Sequence, residues 1–229
     1  MADSDPKVAL LAGASGLVGS YVLEGLLDAP DFGRIYAITR RPLGRENARL
    51  ANRIVQFDKL ESQLQGLACQ VAFCCLGSTR REAGSNDEFY KVDVEYVLAF
   101  ARAARKAGAQ RFIVVSSAGA DTRSRVFYLR TKGEMEQALA GLGFASVDIM
   151  QPGPLYGWRR QIRPLELVAA AIMPLVNPFL IGSQAAKRGI SARQVASAMI
   201  GAARSGRKGV YRYTYPAMRA LAQVKPVRA

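Results

Sequence analysis

A tyrosine and a lysine, Tyr128 and Lys132, stand four residues apart in the stretch YLRTK. That spacing places both side chains on one face of a helix. A tyrosine with its ordinary pKa of about 10 exchanges protons poorly at neutral pH, but a neighbouring ammonium lowers such a pKa by about 1–3 units. The pair therefore has the composition of an acid–base group that protonates a substrate oxygen. The alternative is structural, since a half-buried tyrosine beside a lysine whose aliphatic chain lies along the surface has the same spacing.

Two serines, Ser116 and Ser117, end a short apolar run upstream of Tyr128. Ligands of open parallel sheets bind beyond the carboxyl ends of the strands. A strand that ends at these serines would therefore bring a hydroxyl close to the tyrosine, where it could orient a substrate carbonyl.

A glycine-rich run, GASGLVG, lies between an apolar run and an amphipathic stretch. Gly13 permits a tight turn, Gly16 lets the backbone approach a pyrophosphate, and Gly19 allows a helix to pack closely on a strand. The free N–H groups and the dipole at the start of that helix favour phosphate charge. Ser15 and Leu17 lie in the same turn and are expected to contact the cofactor. The alternative is an ordinary glycine-rich turn.

Two adjacent arginines, Arg40 and Arg41, follow the second apolar run, where NAD-binding proteins usually carry an acid that holds the ribose hydroxyls. A guanidinium can instead bind the 2′-phosphate of NADPH through two parallel hydrogen bonds. Two contacts worth roughly 1.5–3 kcal/mol each would favour NADPH by on the order of 100-fold or more. The sequence thus predicts NADP(H) as the preferred cofactor, with NAD(H) also admitted, unless these are only surface arginines. Asp58, after the third apolar run, either receives the adenine amino group or begins a turn.

The composition excludes several classes of protein. The chain has 229 residues, enough for one domain with a sizeable core, and half of them are hydrophobic. It contains no histidine, which excludes His-based triads and His-containing metal sites, and no metal site is predicted. The clustered Cys69, Cys74 and Cys75 do not form a disulfide framework, and the last two are expected to pack as small hydrophobic residues rather than act as redox sensors. Because the first six residues show no secretory signal either, we expect a cytoplasmic protein.

The net charge of +14 raises the question of an anionic partner. The basic residues are spread along the chain, with no run of five or more, and aromatic residues do not alternate with them. This pattern favours a solvated basic surface over a nucleic-acid partner. Peripheral binding to anionic lipid is a weaker alternative.

Short apolar runs alternate with helical patterns along most of the chain. The runs that we interpret as strands are Val8–Ala12, Ile35–Thr39, Ile54–Phe57, Val71–Leu76, Phe112–Ser116, Ser146–Met150 and Gly209–Thr214. The helical patterns cover Leu17–Leu27, Asn86–Ala107, Tyr128–Leu142, Leu165–Ala171 and Ala192–Ala203. Continuous rather than alternating apolar strands indicate a parallel sheet buried on both faces. With right-handed crossovers, the chain is predicted to form an α/β, doubly wound parallel-sheet Rossmann fold.

Beyond Gln151, several prolines interrupt the chain. We therefore predict one NAD(P)-binding domain over residues 1–229, with a core over about 6–151 and a small C-terminal substrate-side cap over about 152–229. Leu165–Ile181 is apolar, but its glutamate and prolines favour a buried or cleft-lining helix over a membrane span.

These motifs together resemble the atypical short-chain dehydrogenase/reductases, in particular the branch that includes the Tat-interacting metastasis-suppressor proteins. The resemblance is carried by LLAGASGLVGS, CCLGSTRREAG, VVSSAGAD, YLRTKGEME and QPGPLYGWRRQIRPLE, which begin at Leu10, Cys74, Val114, Tyr128 and Gln151. It covers nearly the whole chain.

The resemblance implies a reductase triad of Ser117, Tyr128 and Lys132, with Ser116 as the alternative serine. Tyr128 would be the proton donor and Lys132 would hold the nicotinamide ribose. It also implies that the cofactor is lined by further residues, namely Leu76, Gly77, Pro152 and Gly153.

Two functions of different classes follow. The first is an NADPH-dependent oxidoreductase that transfers a hydride to a carbonyl, or runs the reverse reaction on an alcohol. The second is a catalytically weak or inactive NADPH-binding protein that presents a surface to a protein partner. A monomer and a homodimer are both admitted, because the Asn86–Ala107 helix could form a dimer face or be covered by its own sheet.

Overall fold

The computed structural model describes residues 5–78, 83–156 and 188–224. Within these residues, seven parallel strands form the central sheet, in the order β3-β2-β1-β4-β5-β6-β9. Their bounds are β1 (Lys7–Ala12), β2 (Phe32–Thr39), β3 (Leu50–Ile54), β4 (Val71–Cys74), β5 (Arg111–Val115), β6 (Ser146–Met150) and β9 (Gly209–Tyr213). A second, short parallel pair joins β7 (Leu155–Tyr156) to β8 (Ile190–Ser191). The strand order changes direction between β1 and β4, where doubly wound sheets open a crevice for ligands.

Helices cover both faces of the sheet. They are α1 (Leu17–Asp28), α2 (Leu60–Gln63), α3 (Asn86–Tyr90), α4 (Tyr96–Lys106), α5 (Phe127–Ala140), α6 (Ala192–Arg204) and α7 (Tyr215–Leu221). In β1, Ala9 and Leu11 pack in the cluster that contains α1 and α6, whereas Leu10 and Ala12 pack in the cluster that contains α4 and α5. Burial on both faces explains why the strands are continuous apolar runs. The predicted fold class is confirmed.

The third strand is the clearest error in the predicted elements. We expected Ile54–Phe57, but β3 is Leu50–Ile54, and a 3₁₀ turn begins at Phe57. β3 is an edge strand whose last two residues, Arg53 and Ile54, are exposed. It therefore lacks the apolar continuity of the inner strands.

The predicted helix over Asn86–Ala107 contains a π-helical turn at Lys91–Glu95, between α3 and α4. A π turn adds one residue to the helical repeat and shifts the buried face. The periodicity of the sequence alone predicts one face formed by Phe89, Val92, Tyr96, Ala99 and Ala103. After Phe89, the residues buried on this helix are Asp93, Val94, Val97, Phe100, Ala101, Ala103 and Ala104. This face packs against the chain's own sheet.

The C-terminal part of the described chain belongs to the core. β9 is the edge strand beside β6, and α6 packs on α1 in the same hydrophobic cluster. We predict a cap over the residues after about 152, but within the described part of that range α6 and β9 belong to the layers of the sheet. The Leu165–Ala171 helix and the Leu165–Ile181 segment lie outside the described residues, so a cap over 157–187 stays a prediction.

Candidate active site

The glycine-rich turn between β1 and α1 is too closely packed to admit side chains at two of its positions. Gly13 has a φ of +83°, and a Cβ there would lie 2.5 Å from the carbonyl oxygen of Cys75. A Cβ on Gly19 would overlap the carbonyl of Gly13. The Gly16 N–H closes the turn by donating to the Gly13 carbonyl at 2.9 Å. The turn therefore brings the start of α1 directly against the ends of β1 and β4.

The start of α1 fits a phosphate group. Gly16 is the N-cap, no side chain caps the helix, and its first turn contains no acidic residue. The first N–H groups of the helix are thus free to bind an anion, and the helix dipole favours negative charge there. Ser15 is exposed on the turn, whereas Leu17 is buried and anchors the helix in the core.

Arg40 and Arg41 lie immediately after β2, beside the glycine-rich turn, because β1 and β2 are neighbours in the sheet. Both side chains are exposed. Within the described part of the chain, neither guanidinium has an ion-pair or hydrogen-bond partner. The two cations are therefore available to an anionic group at this edge of the crevice.

The sequence leaves two roles for Asp58, binding of the adenine amino group or the start of a turn. In the structure Asp58 lies in the 3₁₀ turn Phe57–Lys59. Its Oδ1 forms an ion pair with Lys91 at 2.9 Å and accepts a hydrogen bond from the Tyr96 hydroxyl at 3.0 Å. The hydrogen bond from Lys91, followed by that from Tyr96, lowers the pKa of this carboxyl. Asp58 thus joins the strand end to the π turn and to α4.

Tyr128 and Lys132 lie on α5, as their spacing predicts. The Tyr128 ring packs against Phe89 with centroids 5.6 Å apart. The Lys132 ammonium is almost completely buried and lies 2.7 Å from Oδ1 of the fully buried Asp93, in an ion pair without hydrogen-bond geometry. Burial lowers the pKa of Lys132, but the charge of Asp93, with smaller effects of Tyr128 and Cys74, reverses this and raises it. The lysine is therefore held as a cation beside Tyr128.

Asp93 is the site residue that the sequence interpretation missed. Its Oδ2 accepts hydrogen bonds from the backbone N–H and the hydroxyl of Ser78, at 2.8 and 2.9 Å. Gly77 lies against the same pair, since a Cβ there would be 3.4 Å from Asp93 Oδ1 and 3.7 Å from Lys132 Nζ. The signal in the sequence is an acid between two valines, four residues after Phe89, and in the structure it lies in the π turn on the buried face.

The two serines after β5 have different environments. Ser116 is buried and its hydroxyl donates to Oε1 of Glu136 at 2.6 Å. Glu136, one helical turn beyond Lys132, also accepts from Gln151 Nε2 at 2.9 Å and from the partly exposed Arg212 at 2.7 Å. The Ser117 hydroxyl makes only a long contact, 3.4 Å, with the next carbonyl. Ser116 thus belongs to a buried network, whereas the Ser117 hydroxyl has no closer partner among the residues that the structure describes.

A cavity of about 780 Å³ opens beside these residues. It brings together Ser116, Ser117, Tyr128, Pro152 and Gly153, all predicted from the sequence. The rest of its lining comes from Ala118, Gly119, Leu129, Pro154 and Leu155. Leu76 and Gly77 follow β4 near Lys132, and the glycine-rich turn lies one strand away. The predicted cofactor and substrate residues thus line one continuous edge of the sheet.

The two adjacent cysteines at the end of β4 pack in the core. Cys74 is fully buried, and burial raises the pKa of its thiol to about 12. Cys75 is partly buried, its sulfur lies 3.9 Å from that of Met199, and desolvation raises the pKa of its thiol as well. Both thiols therefore stay protonated at neutral pH, in agreement with a packing role.

The sequence of residues 9–128 matches the NAD dependent epimerase/dehydratase family, over more than half of the chain. The chain belongs to this family.

Two relatives of this family member extend the match. Protein fmp52, mitochondrial, of Emericella nidulans is 39% identical over 166 residues, which are 69% of this chain and 71% of the relative. Protein HTATIP2 of Rattus norvegicus is 38% identical over 167 residues, which are 71% of this chain and 69% of the relative. These relatives confirm the predicted resemblance to the atypical short-chain dehydrogenase/reductases.

Solved structures share the fold of this epimerase/dehydratase-family chain. UDP-glucose 4-epimerase of Thermotoga maritima with UDP-glucose has a TM-score of 0.67 and 16% identity, over 90% of this chain and 76% of that chain. WbmG of Bordetella bronchiseptica in complex with NAD has a TM-score of 0.67 and 17% identity, over 93% of this chain and 74% of that chain. The chain is thus a member of an NAD(P)-binding Rossmann family.

The expectation of a cytoplasmic protein is wrong. The fmp52 relatives of Emericella nidulans, Saccharomyces cerevisiae and Aspergillus fumigatus are all named mitochondrial, which contradicts it. Cysteines that form no disulfide framework are compatible with any reducing compartment, so they could not specify the cytoplasm. No helix in the described residues of this family member is long and apolar enough to cross a membrane.

Proposed function

We propose that this chain is an NADPH-dependent oxidoreductase that reduces a carbonyl compound, or oxidises the corresponding alcohol. The observation that supports this best is the joint lining of one cavity by Tyr128 and Ser117, with the buried Lys132 cation beside Tyr128. A proton donor, a polar orienting group and a fixed positive charge are what carbonyl reduction requires of the protein. When bound, the nicotinamide supplies the hydride that the protein's own side chains cannot.

Each of the three residues has a defined task in this proposal. The Tyr128 hydroxyl donates its proton to the carbonyl oxygen, and the Ser117 hydroxyl donates a hydrogen bond that orients the same oxygen. The Lys132 ammonium stabilises the negative charge that develops on Tyr128 as its proton leaves. Asp93 keeps Lys132 protonated, whereas burial would favour loss of the proton from an isolated lysine at the same position.

The cofactor preference follows from the charges at the end of β2. The start of α1 would bind the pyrophosphate, and Arg40 and Arg41 would bind the 2′-phosphate that distinguishes NADPH from NADH. Both guanidinium groups are exposed and free of intramolecular partners in the described chain. Asp58 would use its second carboxylate oxygen for adenine, and Pro152 and Gly153 would lie against the nicotinamide.

The test is NADPH oxidation by the purified chain across aldehydes, ketones and quinones. The reverse reaction, NADP+ reduction, is measured with alcohols, and UDP-glucose is included among them because the Thermotoga maritima epimerase was solved with it. Tyr128→Phe should lower turnover at least about 100-fold, since it removes the proton donor and leaves the ring packing intact. Its NADPH dissociation constant, measured by nucleotide fluorescence, should change little. The matched control is Tyr21→Phe on α1, remote from the cavity.

Equal turnover by Tyr128→Phe and the wild-type chain would exclude this mechanism. Tight NADPH binding without turnover of any compound would instead favour a cofactor-binding protein that acts through a protein partner.

A further inference from the structure

Asn52, in the edge strand β3, contacts both ends of the segment that carries Arg40 and Arg41. Its Nδ2 donates to the Thr39 hydroxyl at 2.7 Å, and its Oδ1 accepts from the backbone N–H of Leu43 at 2.9 Å. Thr39 immediately precedes the two arginines and Leu43 follows them after one proline. A single side chain therefore brackets the arginine pair.

The orientation of the Asn52 amide is fixed by its partners. The Leu43 N–H can only donate, so it requires the amide oxygen. The Ala37 carbonyl can only accept, and it receives a second hydrogen bond from Nδ2 at 3.1 Å. Reversing the amide would break both hydrogen bonds, so its two partners fix which way the side chain points.

Asn52 is also the principal restraint on the loop. Within the described part of the chain, the Leu43 N–H is the one group between Arg40 and Glu46 that hydrogen-bonds to the sheet. Thr39 itself is buried, and its carbonyl accepts from the Val55 N–H at 2.8 Å, so the loop leaves the sheet from a rigid point. Without Asn52, the loop would keep the packing of the Leu43 side chain against the core but would lose its hydrogen bond to β3.

We propose that Asn52 is a positioning residue for recognition of the NADPH 2′-phosphate, and that it sets the preference for NADPH over NADH by holding the Arg40–Arg41 backbone. This rests on the proposed role of the two arginines. Charge-assisted hydrogen bonds from a guanidinium to a phosphate are directional, and ordering a free loop at the moment of binding weakens them. NADH lacks the 2′-phosphate, so its affinity does not depend on where these arginines point.

The experiment compares dissociation constants of NADPH and NADH for the full chain and its variants. Asn52→Ala should weaken NADPH binding about tenfold, as expected when a charge-assisted contact is lost, and change NADH binding less than about twofold. The matched control is Asn47→Ala in the same loop, whose Oδ1 accepts only from the Arg49 N–H at 2.9 Å. Its NADPH/NADH ratio should equal that of the wild-type chain.

A second substitution separates positioning from folding. Asn52→Val removes all three side-chain hydrogen bonds but suits an edge strand, because β-branched residues favour strands. It should show the same selective loss of NADPH as Asn52→Ala, with a cooperative unfolding transition retained. Equal weakening of both nucleotides by the two variants would reveal a structural role alone and overturn the inference.

The double variant Arg40→Ala/Arg41→Ala tests the premise. A wild-type NADPH/NADH ratio in this variant would refute the proposed role of the two arginines in cofactor preference. A ratio lost in the arginine variant but kept in both Asn52 variants would leave that preference standing and overturn the role of Asn52.

Discussion

At the scale of single residues, the central feature is a buried pair of opposite charges. Lys132 and Asp93 are both within a few per cent of complete burial, and their charged atoms are 2.7 Å apart. A buried lysine alone would lose its proton, because a charge in a low-dielectric interior is strongly disfavoured. Asp93 reverses that tendency, so the site keeps a cation where Tyr128 needs one.

Asp93→Asn should therefore change the pH dependence of turnover. Without the carboxylate, burial is no longer offset and the pKa of Lys132 falls below its ordinary value. The alkaline limb of kcat/KM against pH should move at least about one pH unit lower, because activity needs the protonated lysine. A profile identical to that of the wild-type chain would show that Lys132 does not depend on Asp93.

The same substitution should change stability with a definite sign. The folded-state pKa of Lys132 is raised, so its contribution is present below the unfolded-state pKa of about 10.4 and is lost as pH rises through the folded-state value. At neutral pH, Asp93→Asn should lower the free energy of unfolding by about 3 kcal/mol, measured by urea denaturation. Glu95→Gln, exposed on the same π turn, is the control and should change it by less than about 0.5 kcal/mol.

The two adjacent serines should separate catalysis from stability. Ser117→Ala should lower kcat on the order of 100-fold with little change in stability, because it removes a free hydroxyl that faces the substrate cavity. Ser116→Ala should instead lower the free energy of unfolding by about 1–3 kcal/mol, because Glu136 loses a buried hydrogen-bond donor. Urea denaturation and steady-state kinetics on both variants check this, and a larger kinetic effect at Ser116 would reverse the assignment.

At the scale of elements, the β1–α1 turn acts through close backbone contacts. Gly13 combines a positive φ with an approach to the Cys75 carbonyl that admits no side chain. Gly66 has nearly the same φ, +79°, but nothing lies within 4 Å of the position that its Cβ would occupy. The two glycines thus share a positive φ and differ in how closely other atoms surround them.

This contrast gives a matched pair of substitutions. Gly66→Ala should lower the free energy of unfolding by about 1–2 kcal/mol, the cost of the left-handed conformation alone. Gly13→Ala should cost at least about 3 kcal/mol and abolish NADPH binding, because the turn must move away from β4. Thermal unfolding and nucleotide fluorescence measure both effects, and similar losses at the two positions would contradict the packing argument.

At the scale of the whole molecule, the candidate site and the buried network that holds the C-terminal elements lie in different parts of the sheet. The candidate site lies beyond the carboxyl ends of the strands. A second buried network begins at Arg111 and Ser146, the first residues of β5 and β6, where Asp148 pairs with Arg111 at 2.8 Å and accepts from the Tyr213 hydroxyl at 2.9 Å. Arg111 also donates to the carbonyl of Ala202, so the network ties α6 and β9 to the core.

Asp148→Asn should therefore lower stability without changing the site. Leaving Arg111 buried and unpaired should lower the free energy of unfolding by about 3–5 kcal/mol, measured by urea denaturation. The dissociation constant of NADPH should stay within about twofold, since the side-chain partners of Asp148 in the described chain, Arg111, Ser146 and Tyr213, do not line the cavity. Asp28→Asn, exposed at the end of α1, is the control for loss of a carboxylate. A large change in NADPH affinity would show that the two parts of the sheet are coupled.

Several features of this chain could be predicted from its sequence because they depend on local properties. Continuous apolar runs predict buried parallel strands, and the spacing of Tyr128 and Lys132 predicts their common helical face. Gly13, Gly16 and Gly19 predict the tight turn between β1 and α1, because conformational freedom and the lack of a side chain are intrinsic to glycine. The bounds of β3 were predicted wrongly, because an edge strand needs no continuous apolar run.

Only the tertiary structure decided which polar groups meet. Asp93, in the π turn, meets Lys132 of α5, and no apolar pattern encodes the pairing of two charged residues from different helical segments. Likewise, Ser116 donates a hydrogen bond to Glu136, which Ser117 does not, and Asn52 in the neighbouring strand contacts Thr39 before the arginines and Leu43 after them. The sequence by itself determined the fold class and the types of residue available for chemistry. Their partners were decided by three-dimensional packing, because a buried charge or amide is stabilised by groups that are distant along the chain.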